Sequence, residues 1–142
     1  MRCRDLMQAD VQTLDVNETA QSAAAKMRDH DVGFLPVVSS EREVVGTLTD
    51  RDLCIRLVAE GHLLSTPVAD VMTGEVISVS VEDDAEKARA LMSEHQVSRI
   101  VCLSQDGALA GVISLADLVR QDDERGSGET VRHIKESPAQ HA

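Results

Sequence analysis

No tryptophan or tyrosine occurs in the 142 residues, and Phe34 is the only aromatic side chain. Stacking platforms of the kind that hold single-stranded nucleic acid are therefore missing. Positive charge is also scarce: 14 Lys and Arg stand against 25 Asp and Glu, a formal net charge of −11. That balance argues against a sequence-independent grip on nucleic-acid phosphates and against docking on an anionic membrane. No apolar run nears the roughly 18 residues of a membrane span. The opening MRCRDLMQAD has no apolar stretch behind its basic residues, so no secretory signal is expected. The three cysteines, Cys3, Cys54 and Cys102, are odd in number and lack CxxC spacing. They read as reduced thiols acting as small hydrophobes, not as a disulfide framework or zinc knuckle, and a cytoplasmic location is expected.

What is present is an aliphatic chain, 42% hydrophobic, written twice. Residues 5–55 align without a gap on residues 70–120 at an offset of 65, with 14 identities: Asp5/Asp70, Met7/Met72, Val11/Val76, Val16/Val81, Ala20/Ala85, Ala23/Ala88, Ala25/Ala90, Met27/Met92, His30/His95, Val32/Val97, Ser39/Ser104, Gly46/Gly111, Asp52/Asp117 and Leu53/Leu118. Average residue usage would give about three by chance.

Each copy has the same order of patterns. A short alternating stretch (11–16 in the first copy) precedes a helix cap, offered by Asn17 or by Asp83–Asp84. Ala20, Ala23 and Met27, and Ala85, Ala88 and Met92, then recur at helical spacing, and these helices are expected to end near His30 and His95. Both histidines are expected to serve the helix ends and not a metal, for which no partner sits at ligand spacing. Phe34–Val38 and Arg99–Leu103 are of strand length, and polar turns join them to Val44–Leu48 and Leu109–Ile113. A second helix starts at Thr49 or Ser114. The fold class expected is α/β in the α+β sense, two β-α-β-β-α repeats packed with pseudo-twofold symmetry around a shared core. The expected division is 1–60, 61–122 and a polar, mostly mobile tail 123–142, in which 130–135 could form one turn. Units of this size bury little core alone, so the clefts between the copies are natural ligand sites.

Both copies carry Gly-x-x-[Ser/Thr]-x-x-Asp: Gly46, Thr49 and Asp52, and Gly111, Ser114 and Asp117. A glycine at a strand end admits a close backbone or ligand. A carboxylate can accept both hydrogen bonds of a ribose cis-diol, and a helix N-terminus offers free N–H groups to a phosphate. The same spacing is that of a capping box, in which the acid reaches back to its own helix start. Both roles are open at this point.

Asp5-Leu-Met7, Asp70-Val-Met72, Val32-Gly-Phe-Leu-Pro-Val-Val38, Val97-Ser-Arg-Ile-Val101 and the two glycine motifs together resemble the tandem CBS-domain (Bateman) module, over roughly residues 5–120. In particular the sequence is similar to small bacterial CBS-pair proteins. The resemblance implies a non-catalytic, homodimeric regulator that binds adenosine-containing ligands: AMP, ADP, ATP, NAD or S-adenosylmethionine. By that resemblance Asp52 and Asp117 would hold the ribose, with Thr49 and Ser114 assisting. The backbone at Thr13 and Ser78 would read adenine, and Phe34, Leu35, Pro36, Arg99, Ile100 and Val101 would line the cleft. Arg51, Arg99 and Arg120 are the candidates for phosphate, Arg99 foremost. The second copy departs from the pattern at Val101, where the family favours proline, and at Ala116 in place of Arg51. So few cations favour a monophosphate or an NAD-type ligand over free ATP.

Apolar residues of the second helices (Leu53, Ile55, Leu57; Leu115, Leu118, Val119) would face the partner copy. The rival reading is a ligand-free dimerisation or partner-binding domain whose motifs survive only as caps. No nucleophile–base–orienter set, P-loop or HExxH motif points to an enzyme.

Overall fold

Caps fix where the first helix of each repeat begins. In the computed structural model, which describes residues 1–124 (of Glu124 the backbone alone), the Thr19 hydroxyl accepts the Ser22 N–H at 3.1 Å. The Asp84 carboxylate accepts the Glu86 N–H at 2.9 Å. Asn17 is not the cap expected of it: its own N–H is held by Asp15 Oδ1 at 2.9 Å, in the turn before Thr19. The helices that follow, α2 (Ala20–His30) and α4 (Ala85–His95), bury Ala20, Ala23 and Met27, and Ala85, Ala88 and Met92. Both end where a residue just past the histidine turns left-handed, Asp31 at φ 53° and Gln96 at φ 56°. The histidines are thus the last helical residues, one step before the cap.

Each repeat builds a three-stranded sheet, parallel in its first pairing and antiparallel in its second. The first contains β1 (Leu14–Asp15), β2 (Phe34–Val38) and β3 (Val44–Thr49); the second contains β4 (Ser78–Ser80), β5 (Arg99–Leu103) and β6 (Leu109–Ser114). Pro36 has no N–H to give, whereas its counterpart Val101 donates to the Ile77 carbonyl at 3.1 Å. One consequence is visible in the register: β4 pairs over three residues where β1 pairs over two. The departure at Val101 therefore lengthens the parallel pairing. In the hairpin turns the left-handed position is filled by Gly107 in one copy and by Arg42 in the other.

The chain divides into two compact units, but not at residue 60. One unit is Val11–Val76; the other joins Met1–Asp10 to the chain from Ile77 onward. Backbone pairing explains the difference. The short helix α1 (Cys3–Leu6) is held in the second unit by Cys3 N–H to Asp83 O (2.8 Å) and Arg4 N–H to Val81 O (3.1 Å). Gln8 and Val112 then exchange bonds of 2.8 and 3.0 Å. At the same offset of 65, Thr73 and Thr47 exchange two bonds of 2.9 Å in the first unit. The segment that leads each repeat in sequence is built into the unit formed by the other repeat's body. The far boundary also moves, because α5 (Leu115–Glu124) takes in Asp123 and Glu124, which were expected in the tail. The rest of that tail, with the turn expected at 130–135, lies outside the described residues.

Each unit holds its own cluster of buried side chains. The first gathers Leu14, Met27, Leu35, Val37, Leu48, Leu53, Leu57, Val68 and Val71. The second gathers Cys3, Val79, Val81, Met92, Ile100, Cys102, Ile113 and Leu118. After Thr49 the chain makes one α-turn, α3 (Asp50–Asp52), and then widens into a π-helix over Leu53–Val58, which sends Leu53 and Leu57 inward. Of the helix residues expected to face a partner, Leu53, Leu57, Leu118 and Val119 are therefore spent inside. Ile55, Val58, Leu63 and Leu64 are the large apolar side chains left exposed there.

Cys3 and Cys102 are fully buried, and the Cys3 thiol donates to the Asp84 carbonyl at 3.7 Å. Burial and the neighbouring thiol push the Cys102 thiol up to about 12, and burial with nearby Asp83 raises Cys3 as well. Thiolate is the reactive form. A maleimide at pH 7–8 should modify one thiol per chain, exposed Cys54, and Cys54→Ser should leave none until denaturant is added. Mass spectrometry reads the result, and label on Cys3 or Cys102 of the folded protein would contradict the packing.

Candidate functional site

The two glycine motifs form two strand-to-helix corners with the same backbone. Phe34 faces Thr49 across β2 and β3, and Arg99 faces Ser114 across β5 and β6. The corners are tied by Asp50 N–H to Gly33 O (3.0 Å) and Leu115 N–H to Ser98 O (2.8 Å). At each corner the capping box is complete. Thr49 N–H reaches Asp52 Oδ2 at 3.0 Å while Asp52 N–H reaches the Thr49 hydroxyl at 3.1 Å. Ser114 N–H reaches Asp117 Oδ2 at 2.8 Å and Asp117 N–H returns to the Ser114 hydroxyl at 3.2 Å.

The glycines answer to backbone. A Cβ on Gly46 would lie 2.5 Å from Met72 Sδ and 2.9 Å from Thr73 O; on Gly111 it would lie 2.6 Å from Gln8 O and 2.9 Å from Met7 Sδ. The Asp-x-Met segments thus supply what each glycine makes room for.

The second oxygen of each carboxylate differs between the repeats. Asp52, half-buried, has only the Thr73 hydroxyl at 3.5 Å beside its Oδ1. Asp117, 4% exposed, accepts the Gln8 amide at 3.2 Å and an ion pair from Arg120 on Oδ1. A cavity of about 220 Å³ opens beside it, lined by Ser98, Arg99, Ser114, Leu115, Ala116, Val119 and Arg120. The structure therefore brings together three of the residues singled out by sequence (Arg99, Ser114 and Arg120) with Asp117 beneath. Ser98, Leu115, Ala116 and Val119 were missed as lining residues, although the repeat offset matches Ser98 to Gly33 of the first corner.

Other expected site residues fall elsewhere. Leu35 and Ile100 are 1% exposed and belong to the two core clusters, so their side chains are not free to line a cleft. Strand alternation is the reason: residues two apart share a face, and Leu35 goes with Val37, Ile100 with Cys102. Pro36 and Val101 lie on the opposite faces of their strands and are also fully buried. The Thr13 carbonyl is taken by Lys26 Nζ at 2.8 Å, and Ser78 opens β4 beside Val101. Arg51 is exposed on the first turn of α3. Phe34, Thr49, Arg51 and Asp52 all belong to the first corner.

Among the described residues no three His, Cys, Asp or Glu side chains gather as a metal cluster, and no helix is long and apolar enough to cross a membrane.

Comparison with known proteins agrees with this architecture. The chain is 37% identical over 132 residues to the CBS domain-containing protein YhcV of Bacillus subtilis, covering 92% of this chain and 93% of that one. It is 33% identical over 132 residues to hypoxic response protein 1 of Mycobacterium tuberculosis, with 92% of each chain covered. A crystal structure of Hypoxic Response Protein I, with two coordinated zinc ions, superposes with a TM-score of 0.78 at 31% identity, over 84% of this chain and 98% of that one. A CBS domain protein of Pyrobaculum aerophilum, complexed with AMP, shares the fold at 24% identity and a TM-score of 0.77, over 83% and 90% of the two chains. The CBS domain family model matches twice, at residues 3–59 and 68–124, so two corners written in one motif, each closed by a leader segment, are what a tandem pair of CBS domains looks like in this chain, and to that family it belongs.

Proposed function

We propose that the chain is a non-catalytic regulatory module that binds adenosine-containing ligands at its two strand-to-helix corners. The observation that carries this reading is the half-used carboxylate: each capping box needs one oxygen of its aspartate, and Asp52 Oδ1 has no closer partner than a hydroxyl at 3.5 Å. A carboxylate held rigidly by its own helix start, with acceptor capacity left over, suits a ribose cis-diol. Thr49 and Ser114 position the two carboxylates, and Arg51, Arg99 and Arg120 are the cations within reach of a phosphate. AMP, ADP, ATP, NAD and S-adenosylmethionine form the candidate set, with monophosphates and NAD favoured because a triphosphate needs more positive charge than these corners hold. Exposed Ile55, Val58, Leu63 and Leu64 supply an apolar surface for a second copy, and we take the working form to be a homodimer. Nucleic acid and membrane are not among the partners proposed, given the charge of −11.

The second reading, a ligand-free partner-binding domain, is favoured by one fact: both aspartates already cap helices. A thermal-shift panel of the five ligands on wild type and Asp52→Ala separates the two. Ligand at 100 times its Kd adds about 2.7 kcal/mol to stability. Loss of charge-assisted bonds to a diol should weaken binding roughly ten- to a hundredfold in the variant. No shift with any ligand in wild type would leave the scaffold reading.

A further inference from the structure

The two corners share a cap but differ in what stands around it. At the offset of 65, Phe34 is replaced by Arg99, Asp50 by Leu115, Arg51 by Ala116 and Ile55 by Arg120. The first corner is aromatic and aliphatic, with two acids, Asp50 and Asp52, against one exposed cation, Arg51. The second has two guanidiniums, Arg99 and Arg120, in the lining of a cavity of about 220 Å³. Arg99 is half-buried there, with the Ser98 hydroxyl at 3.4 Å as its nearest partner and no carboxylate pairing it among the described residues. In a chain with 25 acidic residues and a net charge of −11, an unpaired guanidinium on a cavity wall is out of the ordinary. Arg120, also in the lining, is ion-paired to Asp117.

We propose, resting on the reading above, that Arg120 is the specificity-determining residue of the second corner and makes it selective for phosphorylated ligands, while the first corner, with Ile55 in that place, accepts the unphosphorylated nucleoside. The argument is one of exchange. A ribose that takes Asp117 must displace Arg120 and the Gln8 amide from the carboxylate. A ligand without phosphate offers the freed guanidinium nothing in return, so it is penalised. A phosphomonoester carries about −1.5 to −2 charges and oxygens that match the guanidinium fork. It re-pairs Arg120, engages Arg99 as well, and leaves Asp117 to the diol. The resident ion pair thus discriminates against ligands that cannot replace it. At the first corner nothing occupies Asp52 Oδ1 as an ion pair does, and Asp50 offsets the charge that the lone cation Arg51 would offer a phosphate.

Calorimetric titration of AMP and of adenosine into the full chain tests this, in an Asp52→Ala background that removes the first corner. With Arg120 present, AMP should bind at least tenfold more tightly than adenosine. Arg120→Ile should move the two in opposite directions, weakening AMP and strengthening adenosine by freeing Asp117. Arg120→Lys, which keeps the charge without the fork, should fall between. Arg120 is exposed, so the variants should fold, and circular dichroism checks that they do. Equal affinities in the Arg120 protein, or a common shift of both ligands in Arg120→Ile, would overturn the assignment while leaving nucleotide binding intact. Failure of both AMP and adenosine to bind the otherwise wild-type chain would overturn the ligand-binding reading and this assignment together.

Discussion

Gly111→Ala is expected to destabilise the protein by about 2–4 kcal/mol in urea unfolding, whereas Gly74→Ala should be neutral or slightly stabilising. The new methyl on Gly111 would sit 2.6 Å from the Gln8 carbonyl oxygen, and nothing lies within 4 Å of the equivalent atom on Gly74. Overpacking of this kind costs about 1–3 kcal/mol. Here the neighbour is backbone, so relief means moving Gln8 and losing the two bonds it exchanges with Val112, each worth about 0.5–1.5 kcal/mol. A second readout locates the damage. Displacing the leader segment uncovers Cys3, so the variant should take up maleimide beyond Cys54. Gly46→Ala, which displaces the Met72–Thr73 segment instead, should be destabilised without exposing Cys3. If Gly111→Ala keeps wild-type stability, the close approach of residues 7 and 8 is wrong.

Asp117→Ala is expected to cost about 2–3 kcal/mol, and Asp52→Ala about 1 kcal/mol. Losing an N-cap partner accounts for about 1 kcal/mol in either variant. At Asp117 the carboxylate is buried and also binds Gln8 and Arg120. Its removal also leaves the Gln8 amide without its 3.2 Å acceptor, and unsatisfied donors of that kind cost about 1–3 kcal/mol. Asp52 is half-buried and holds only the cap and a long contact to Thr73. The same substitution at matched positions of a repeat therefore has unequal effects. Equal losses in matched unfolding curves would mean that the Gln8 and Arg120 contacts contribute nothing to stability.

The internal repeat made most of the fold legible. Fourteen identities at one offset give the β-α-β-β-α order twice, because a pattern seen at matched places in two copies is unlike a chance run. The capping spacing of Thr49 and Asp52, and of Ser114 and Asp117, was legible as well, but its recurrence left a cap and a ribose site both open. Other features carry no local signal. Asp-x-Met opens both repeats, and nothing in those residues says which body the segment docks on; only the backbone bonds of Gln8 and Thr73 do. Leu35 and Ile100 enter the cleft by resemblance alone, and a run buried on both faces hides the alternation that separates core from site. Asn17 and Thr19 are both good caps by type, and the choice fell to Thr19 because Asp15 had already claimed the Asn17 N–H. The π-helical turn at Leu53–Val58 leaves no mark in the spacing of its leucines.

The exchange of leader segments also sets a timetable for synthesis. Residues 11–76 are continuous, so that unit has all of its chain once Val76 has been made. The other unit cannot close until Asp117 is made, because Gln8 pairs with it across 109 residues. At 5–20 residues per second the wait is roughly 5–20 s. For most of it residues 1–10 lack the segments they pair with, and Cys3, later fully buried, stays in solvent beside an unprotected backbone. Oxidation and proteolysis have their best access to this segment then, before α5 has been made.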